Sequence, residues 1–309
     1  MSVKKVKAIA RRNPFLRKAY YLTVKPYLKG RIELVTFQQL TMWTLDWIKT
    51  FPQHYDVIVG IPRSGIVVAG IIACKLGKPL TTPDKMLQNE FWLPTKDKTI
   101  EKGDVKNVLL VDDATGRGET MQLCYEQLKN AFGNKINIIK ASLLVEQGAK
   151  DKVDLYYKVL PKSGAYFEWN LAHCPRTPLG VDIDGVLCDE PPPEVDANEE
   201  KYVAWISNAK PNLIPTYTIE VIVTNRLEKY RTITEEWLKK HNVKYRHLIM
   251  LNLPSKRLRT PENMIENKIK AVKQFDLSWF WESSWTEAQA IYKACRIPVL
   301  CTDKMVLLS

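Results

Sequence analysis

Hydrophobic and polar positions along this chain alternate between helix-like and strand-like spacing. Apolar residues recur every three or four positions in some segments, while others are short β-branched runs that end at glycine or proline turns. In the first half we predict a helix over 36–51, strands at Tyr55–Ile61, Asn107–Val111 and Ile136–Val145, and a helix over about 119–131. This order predicts a parallel, doubly wound α/β sheet, in which ligands collect at the carboxyl ends of the strands.

The second half carries an α/β pattern of its own, beyond the proline-rich segment 173–178. We predict strands at Leu179–Ile183, Ile219–Thr224 and Leu277–Trp281, and helices near 198–208, 232–241 and 262–275. A chain of 309 residues exceeds the size of one ordinary hydrophobic core. We therefore expect a basic arm over 1–35 and two doubly wound α/β domains, over 36–175 and 176–309.

The composition is that of a soluble globular protein, with 45% hydrophobic and 26% charged residues. No apolar run approaches the length of a membrane span, and the N-terminus is too charged for a signal peptide. The six cysteines are scattered singly, so we expect them to be reduced. These features predict a cytoplasmic protein.

The net charge of +12 is concentrated in the N-terminal arm. Residues 1–31 hold ten of the 46 Lys and Arg residues and no acidic residue. Apolar side chains lie among these charges, which suits a segment on an anionic membrane surface, such as the inner face of the membrane. A solvated arm, or one that touches nucleic acid non-specifically, is the alternative. No recognition motif accompanies the charge, so we expect no specific nucleic-acid partner.

The segment 108–121 (VLLVDDATGRGETM) combines two carboxylates, a glycine-rich turn and a helix start. Backbone N–H groups of the turn can converge on a phosphate, and the helix dipole favours its charge. Asp112 and Asp113 cannot bind phosphate directly, so ribose hydroxyls or hydrated magnesium are their natural partners. The segment therefore predicts a site for a phosphorylated sugar.

This segment resembles the phosphoribosyl-pyrophosphate signature of type I phosphoribosyltransferases. The resemblance implies that Asp112 and Asp113 contact the ribose hydroxyls and that the following loop holds the 5-phosphate. That loop comprises Thr115, Gly116, Arg117, Gly118, Glu119 and Thr120. Upstream, 60–65 (GIPRSG) is similar to the family's pyrophosphate loop, which implies that Arg63, Ser64 and Gly65 also bind the substrate.

Three further features of this half bear on the chemistry. Many family members that use nucleobases carry an acid where Gly116 stands, so its absence argues against a purine substrate. The family reaction expels pyrophosphate, so Mg2+ and cations should stabilise the leaving group. Arg63 is one such cation. A polar stretch that follows is either a mobile hood over the site or a solvated loop, and it contains Lys85, Lys96, Lys98 and Lys102. The stretch 166–169 (YFEW) either completes an acceptor pocket or packs in the core.

In the second half, 180–187 (GVDIDGVL) places two aspartates two residues apart after an apolar strand. One carboxylate can attack phosphorus while the other protonates the leaving oxygen and later activates water. Magnesium would offset the combined charge of two carboxylates and a phosphate.

The motif resembles the haloacid dehalogenase superfamily of phosphatases. This resemblance implies that Asp182 is the nucleophile, Asp184 the general acid and base, and Thr224 the phosphate-binding hydroxyl. It implies Lys268 as the phosphate-neutralising lysine, with Lys270 or Lys273 as alternatives. The metal ligands would be Asp182, Asp184 and Glu282, with Glu282 standing alone where the family has paired acids. About thirty residues separate the first two motifs, which allows a minimal cap and predicts an open site for a bulky substrate.

Together the halves predict transfer followed by dephosphorylation. The first domain would leave a 5-phosphate that the second is built to remove, as in the enzyme pairs that build ribofuranose into bacterial surface polysaccharides, which both halves resemble. The expected partners are phosphoribosyl pyrophosphate and a glycan acceptor, lipid-linked in such pathways. Two alternatives stay open: a nucleobase-salvage phosphoribosyltransferase with an attached nucleotidase, and a non-catalytic regulator that senses phosphoribosyl pyrophosphate or nucleotides.

Overall fold

The computed structural model describes residues 32–51, 54–95 and 103–309. Residues 1–31 of the predicted basic arm, and three lysines of the predicted hood (Lys96, Lys98 and Lys102), lie outside these residues. The described chain forms two compact units, one of residues 35–169 and the other of residues 170–309 together with 32–34. The sequence places the domain boundary between 175 and 176. No helix among the described residues has the length and apolar character needed to cross a membrane.

The first unit is an α/β domain around a parallel sheet of five strands. Its elements are β1 (Glu33–Val35), α1 (Phe37–Ile48), β2 (Val57–Gly60), α2 (Gly65–Leu76), β3 (Leu80–Thr81), α3 (Pro83–Leu87), β4 (Asn107–Thr115), α4 (Glu119–Phe132), β5 (Asn137–Val145), β6 (Leu155–Val159) and β7 (Ala165–Phe167). The sheet order is β3-β2-β4-β5-β6. Helices α1 and α2 cover one face of the sheet and α4 covers the other, each over its own apolar cluster. The alternation of strands and helices predicted from the sequence is confirmed here.

Strand β4 is longer than the sequence suggests, because β5 is equally long and continues the ladder beside it. Parallel pairing runs from Asn107 with Asn137 to Thr115 with Val145. Asp112 and Asp113 therefore lie inside the strand, whereas the hydrophobic pattern placed its end at Val111. Since successive residues of a strand point to opposite faces, the two carboxylates leave the sheet on different sides.

The second unit is built on a sheet of six strands in the order β10-β9-β8-β11-β12-β13, parallel except for the edge strand β13. Its elements are β8 (Leu179–Val181), α5 (Pro193–Asp196), α6 (Glu199–Asn208), β9 (Ile219–Leu227), α7 (Arg231–Lys240), β10 (Tyr245–Leu251), α8 (Pro261–Gln274), β11 (Trp279–Glu282), α9 (Trp285–Cys295), β12 (Val299–Cys301) and β13 (Val306–Leu308). The predicted strands and helices of this half are present, with ends shifted by a few residues.

Local capping explains where the helices next to the second site begin. The Thr260 hydroxyl accepts from the backbone N–H of Asn263, and the Asn263 side chain accepts from the backbone N–H of Thr260, which forms a capping box at the start of α8. Asn198 caps α6 in the same manner, accepting from the backbone of Lys201. With its start fixed, α8 turns Lys268, Ala271 and Val272 towards the interior.

Candidate functional site

The glycine-rich loop of the first unit forms a small cradle at the N-terminus of α4. The cradle has a volume of about 170 Å³ and is lined by Asp112, Ala114, Thr115, Gly116, Arg117, Gly118, Glu119, Thr120 and Met121. Gly118 is the N-cap residue, with φ at +80°, a conformation that glycine adopts without strain. A cradle of backbone N–H groups at a helix start suits a phosphate group. The structure thus brings together the residues that the sequence assigns to the 5-phosphate.

The loop 60–65 packs directly against the end of β4. A Cβ atom at Gly65 would lie 2.8 Å from the Val111 carbonyl oxygen and 3.0 Å from Asp112 Oδ1, so only glycine fits. The peptide bond between Pro62 and Arg63 is cis. Ser64 Oγ donates to Asp113 Oδ1 at 2.9 Å, which ties the two predicted substrate-binding segments together.

Asp112 and Asp113 differ in their surroundings because they face opposite sides of the sheet. Burial, followed by the charge of Asp113, raises the pKa of Asp112 to about 8. Asp113 is held from two directions, by Ser64 and by Trp169, whose indole Nε1 donates to Asp113 Oδ2 at 2.8 Å. Asp112 therefore lines the cradle and also packs against Gly65, whereas Asp113 is held by Ser64 and Trp169.

The aromatic stretch 166–169 divides between packing and site roles. Tyr166 is buried, and the Glu168 carboxylate accepts from the backbone N–H of Phe37 at the start of α1. The Phe167 and Trp169 rings stack with centroids 4.9 Å apart. Trp169 is hydrogen-bonded to Asp113, a predicted substrate-binding residue.

An acidic residue missed by sequence reasoning lies beside Gly116. Glu146 follows the end of β5, and a Cβ atom at Gly116 would lie 3.3 Å from Glu146 Oε1. A carboxylate therefore stands next to the position where the sequence lacks one. Thirty residues separate Glu146 from Gly116, so only the pairing of β4 with β5 reveals their proximity.

The hood lysine that the structure describes is engaged locally. Lys85 Nζ lies 2.6 Å from Glu90 Oε2, in an exposed ion pair. Nothing in this pairing directs Lys85 towards the cradle.

The second unit contains a cleft of about 1000 Å³ at the carboxyl ends of β8, β9 and β11. Asp182 follows β8 directly, and Glu282 is the last residue of the neighbouring β11. Ligands collect at this edge in open parallel sheets. Residues of α5 and α6 line the opposite wall, with exposed rim side chains such as Glu199. The short insert thus covers the cleft without a large cap.

Three carboxylates converge on Lys268 at the floor of this cleft. Lys268 Nζ lies 2.6 Å from an oxygen of each of Asp182, Glu282 and Glu287. Burial alone would lower the pKa of Lys268, but the three carboxylates outweigh it and raise that pKa well above its usual value. Burial raises the pKa of Asp182 to about 6 and that of Glu282 to about 8, against the opposing charge of Lys268.

Glu287 is a floor residue that sequence reasoning missed. Besides Lys268, its carboxylate accepts from Asn225 Nδ2 at 3.3 Å. Glu287 lies in the first turn of α9, which begins three residues after Glu282. The helical turn returns its side chain to the floor, so Glu282 does not stand alone as the sequence suggests.

Asp184 is held by an arginine that the sequence analysis also left out. Arg226 Nη2 and Nε donate to Asp184 Oδ1 at 2.6 and 3.1 Å, and the Arg226 side chain is fully buried. Burial would lower the pKa of Arg226, but Asp184 outweighs it and raises that pKa. The sequence feature that could have identified Arg226 is its position two residues after Thr224, within β9.

Thr224 does not line the cleft. It is completely buried, and its hydroxyl accepts from the backbone N–H of Arg226 at 3.2 Å. Asn225 lines the cleft instead. The predicted phosphate-binding hydroxyl is thus placed in the strand interior, because side chains alternate along β9. Of the candidate lysines, only Lys268 is at the floor, while Lys270 is exposed and paired with Glu266.

The side chains of the floor are of the type that binds magnesium, but they are not arranged as a metal site in this structure. Carboxylate oxygens are the ligands that magnesium prefers, and three carboxylates around one ammonium leave an excess of negative charge. Within the described part of the chain, however, no three Asp, Glu, His or Cys side chains are grouped to hold a metal ion. Lys268 occupies the point to which Asp182 and Glu282 converge, and Asp184 turns to Arg226, so the predicted metal ligands are not brought together.

Comparison with family models gives a match over the first unit. Residues 36–175 match a family model described as phosphoribosyl transferase domain. One curated relative is the transcriptional regulator GfcR of Methanocaldococcus jannaschii, 26% identical over 114 residues, covering 36% of this chain and 52% of the relative. Another is the orotate phosphoribosyltransferase of Sulfurisphaera tokodaii, 31% identical over 142 residues, covering 44% of this chain and 66% of the relative. The chain thus spans about half to two thirds of the length of these relatives.

Among solved structures, the purine phosphoribosyltransferase from Pyrococcus horikoshii is similar to the chain at 21% identity. The match covers 44% of this chain and 92% of the Pyrococcus chain, with a TM-score of 0.33.

Proposed function

Because residues 36–175 form a phosphoribosyltransferase domain, we propose that the chain is a bifunctional ribofuranosylation enzyme. The first unit transfers ribose 5-phosphate from phosphoribosyl pyrophosphate to a glycan acceptor and releases pyrophosphate. The second, which we propose to be a haloacid dehalogenase-like phosphatase, then removes the 5-phosphate. The observation that carries this proposal is the acidic floor around Lys268, which adds a phosphatase-type site to a transferase domain in one chain.

In the transfer step, the bond between C1 of the ribose and the pyrophosphate oxygen breaks, and an acceptor hydroxyl oxygen bonds to C1. The cradle at the start of α4 would hold the 5-phosphate through Gly116, Gly118 and Thr120. Asp112 and Asp113 would contact the ribose, and Arg63 would stabilise the departing pyrophosphate. The acceptor's proton needs a base, and Glu146 beside Gly116 is the residue that we propose for this role.

In the hydrolytic step, an oxygen of Asp182 attacks the phosphorus and the ester oxygen leaves with a proton from Asp184. Water activated by Asp184 then cleaves the aspartyl-phosphate and releases inorganic phosphate. Arg226 would orient Asp184, and Lys268 would neutralise charge near the nucleophile. Magnesium would supply further charge neutralisation, and Asp182, Asp184 and Glu282, which line the cleft, are the residues that would hold it.

The acceptor is proposed from the shape of the cleft and from the pairing of the two units. A cleft of about 1000 Å³ with exposed rim residues suits a bulky phosphorylated product better than a small metabolite. Lipid-linked glycans are large acceptors of this kind. We propose that the basic arm over 1–31 brings the enzyme to the inner face of the membrane where such acceptors lie.

A nucleobase-salvage phosphoribosyltransferase with an attached nucleotidase is the second candidate function. Glu146 favours it, because a carboxylate beside Gly116 can serve the ring nitrogen that the sequence left without an acid. A regulator without turnover is the third, and one curated relative bears the name of a transcriptional regulator. The salvage enzyme predicts a nucleotide or nucleoside as product, whereas the regulator predicts no turnover.

The deciding experiment supplies phosphoribosyl pyrophosphate, magnesium and candidate acceptors to wild-type protein and to Asp182→Asn, and identifies products by mass spectrometry. We expect Asp182→Asn to accumulate acceptor–ribose 5-phosphate that wild-type protein converts to acceptor–ribose. Asp276→Asn is the matched control, because Asp276 precedes β11 at the opposite end of the sheet. Formation of a nucleotide would favour salvage, and absence of pyrophosphate release would favour the regulator.

A further inference from the structure

The second unit's cleft is also lined by a group of basic residues that we call the basic ledge. We define this ledge as Lys256, Arg257 and Arg259, which follow Ser255 at the short helix Lys256–Leu258 and all line the cleft. The mechanism proposed above uses none of them. Lys268 already serves the phosphate that is cleaved, so the ledge has no assigned partner in that reaction.

Within the described residues, the ion pairs made by Lys256 and Arg259 share one carboxylate. Asp196, at the end of α5, accepts from Lys256 Nζ at 2.8 Å and lies 3.5 Å from Arg259 Nη1. One carboxylate oxygen, Oδ1, thus serves two cations, while Arg257 is exposed at the same wall. A group with more charge and more oxygens than Asp196 would satisfy the ledge better.

Arg259 shows what kind of group is missing. Its side chain is 16% exposed, and its Nε and Nη2 atoms are buried near the Tyr202 side chain without a hydrogen bond of good geometry among the described residues. Buried donors of this kind are costly to leave unpaired. Nε and Nη2 form one edge of the guanidinium, and the two parallel N–H groups of such an edge match two oxygens of a phosphate.

We propose that the ledge binds a second phosphate group of the same substrate, which displaces the Asp196 carboxylate from Lys256 and Arg259. This inference rests on the phosphatase function proposed above and specifies its substrate as a phosphate monoester that carries another phosphate at a distance. Lys256 is already in place for this role, with its Nζ 2.9 Å from the centroid of the Tyr202 ring. A glycan linked to lipid through a phosphate ester carries a group of this kind.

The rest of the rim selects a compact second phosphate over a nucleic-acid strand. Glu190 and Glu199 also line the cleft and are exposed. A strand with a charge at every phosphate would have to pass these carboxylates, which would repel it. A single further phosphate needs only the ledge.

The test compares matched probes that differ only in the second phosphate. The probes are linear diols of three to eight carbons, each as its monophosphate and as its bisphosphate, and the readout is the ratio of their KM values for Asp182-dependent phosphate release by the full chain. At the fitting length we expect a KM about 10- to 100-fold lower for the bisphosphate, as for a new set of charge-assisted hydrogen bonds. If an end-phosphorylated trinucleotide had a lower KM than every bisphosphate, the preference for a single compact second phosphate would be refuted.

Two variants are expected to change this KM ratio in opposite directions, which separates a binding role from a structural one. Arg259→Gln should reduce the bisphosphate advantage to below about threefold, while Asp196→Asn should increase it, because the competing carboxylate is neutralised. Arg246→Gln, an exposed pair with Glu220 outside the cleft, is the control. Equal ratios in wild type, Arg259→Gln and Asp196→Asn, or no advantage at any length, would refute the ledge.

A binding measurement distinguishes failure of this inference from failure of the proposed function. Calorimetry of the same probe pairs uses the full chain with Asp182→Asn and with Thr120→Asp, which places a negative charge in the first unit's cradle. If the wild-type chain released no phosphate but the variants still bound the bisphosphate more tightly than the monophosphate, the phosphatase function would be refuted and the ledge supported. Release of phosphate without any binding preference would do the reverse.

Discussion

Removal of the buried ammonium at the centre of the acidic floor is the perturbation with the largest expected effect. Lys268→Met keeps the length and apolar stem of the side chain but leaves Asp182, Glu282 and Glu287 without their shared cation. Lys268 and Glu282 are each 1% exposed, so solvent does little to screen the loss. Breaking one buried pair costs about 3–5 kcal/mol. With three contacts of 2.6 Å, we expect the upper part of that range.

The expected loss depends on pH, and its sign follows from the carboxylates. The pKa values of Asp182 and Glu282 are raised to about 6 and about 8 even with Lys268 present. Carboxyls with raised pKa values take up protons more readily in the folded state, so acid relieves the repulsion. Lys268→Met should therefore lose more stability at pH 8.5 than at pH 5.5.

Hydrogen exchange followed by mass spectrometry is the appropriate assay, since a chain of two units need not unfold in one step. Peptides from α8 and β11 report on the floor, and peptides from β4 and β5 serve as the internal control. Lys270→Met, on the same helix but exposed, should change stability by less than about 0.5 kcal/mol. A Lys268→Met protein within about 1 kcal/mol of wild type at pH 8.5, or no recovery on adding Glu282→Gln, would refute the buried-charge argument.

Three further predictions follow from the same geometry. Arg226→Lys should keep the fold but lower the turnover number for phosphate release about 10- to 100-fold, because lysine cannot reproduce the two hydrogen bonds to Asp184. An unchanged turnover number in a protein of normal melting temperature would contradict this. Trp169→Phe should preserve the stack on Phe167 but raise the KM for phosphoribosyl pyrophosphate about tenfold, through loss of the hydrogen bond to Asp113; steady-state kinetics with a purified acceptor would measure it. The raised pKa of Asp112, about 8, means that the first unit loses stability as pH rises from about 4 to about 8. Asp112→Asn should remove that slope and stabilise the unit at pH 8.5 by on the order of 1 kcal/mol or more, as exchange rates of β4 peptides at several pH values would show.

The local features of both sites were available in the sequence. Apolar periodicity predicted the alternation of strands and helices, because each strand and helix must bury one face whatever its neighbours are. The loop 116–118 reads as a phosphate cradle from its glycines and the helix start alone. Asp182 and Lys268 were also identified before the structure, although 86 residues separate them.

Other features depended on which strands and helices lie side by side. Glu146 reaches Gly116 only because β5 pairs with β4, and that pairing also extends β4 past Val111 and sends Asp112 and Asp113 to opposite faces. In the second unit, the turn of α9 brings Glu287 to Lys268, and the alternation along β9 buries Thr224.

The sequence by itself thus determined the α/β class, the glycine-rich loop at a helix start and the aspartate that follows a strand, since short-range periodicity and motif spacing encode them. The tertiary structure decided which charges neutralise one another: Lys268 among three carboxylates, Arg226 on Asp184, and a basic ledge with a single carboxylate partner. Electrostatic energies depend on separations of a few ångströms and on burial, and packing sets both only when segments far apart in the chain come together.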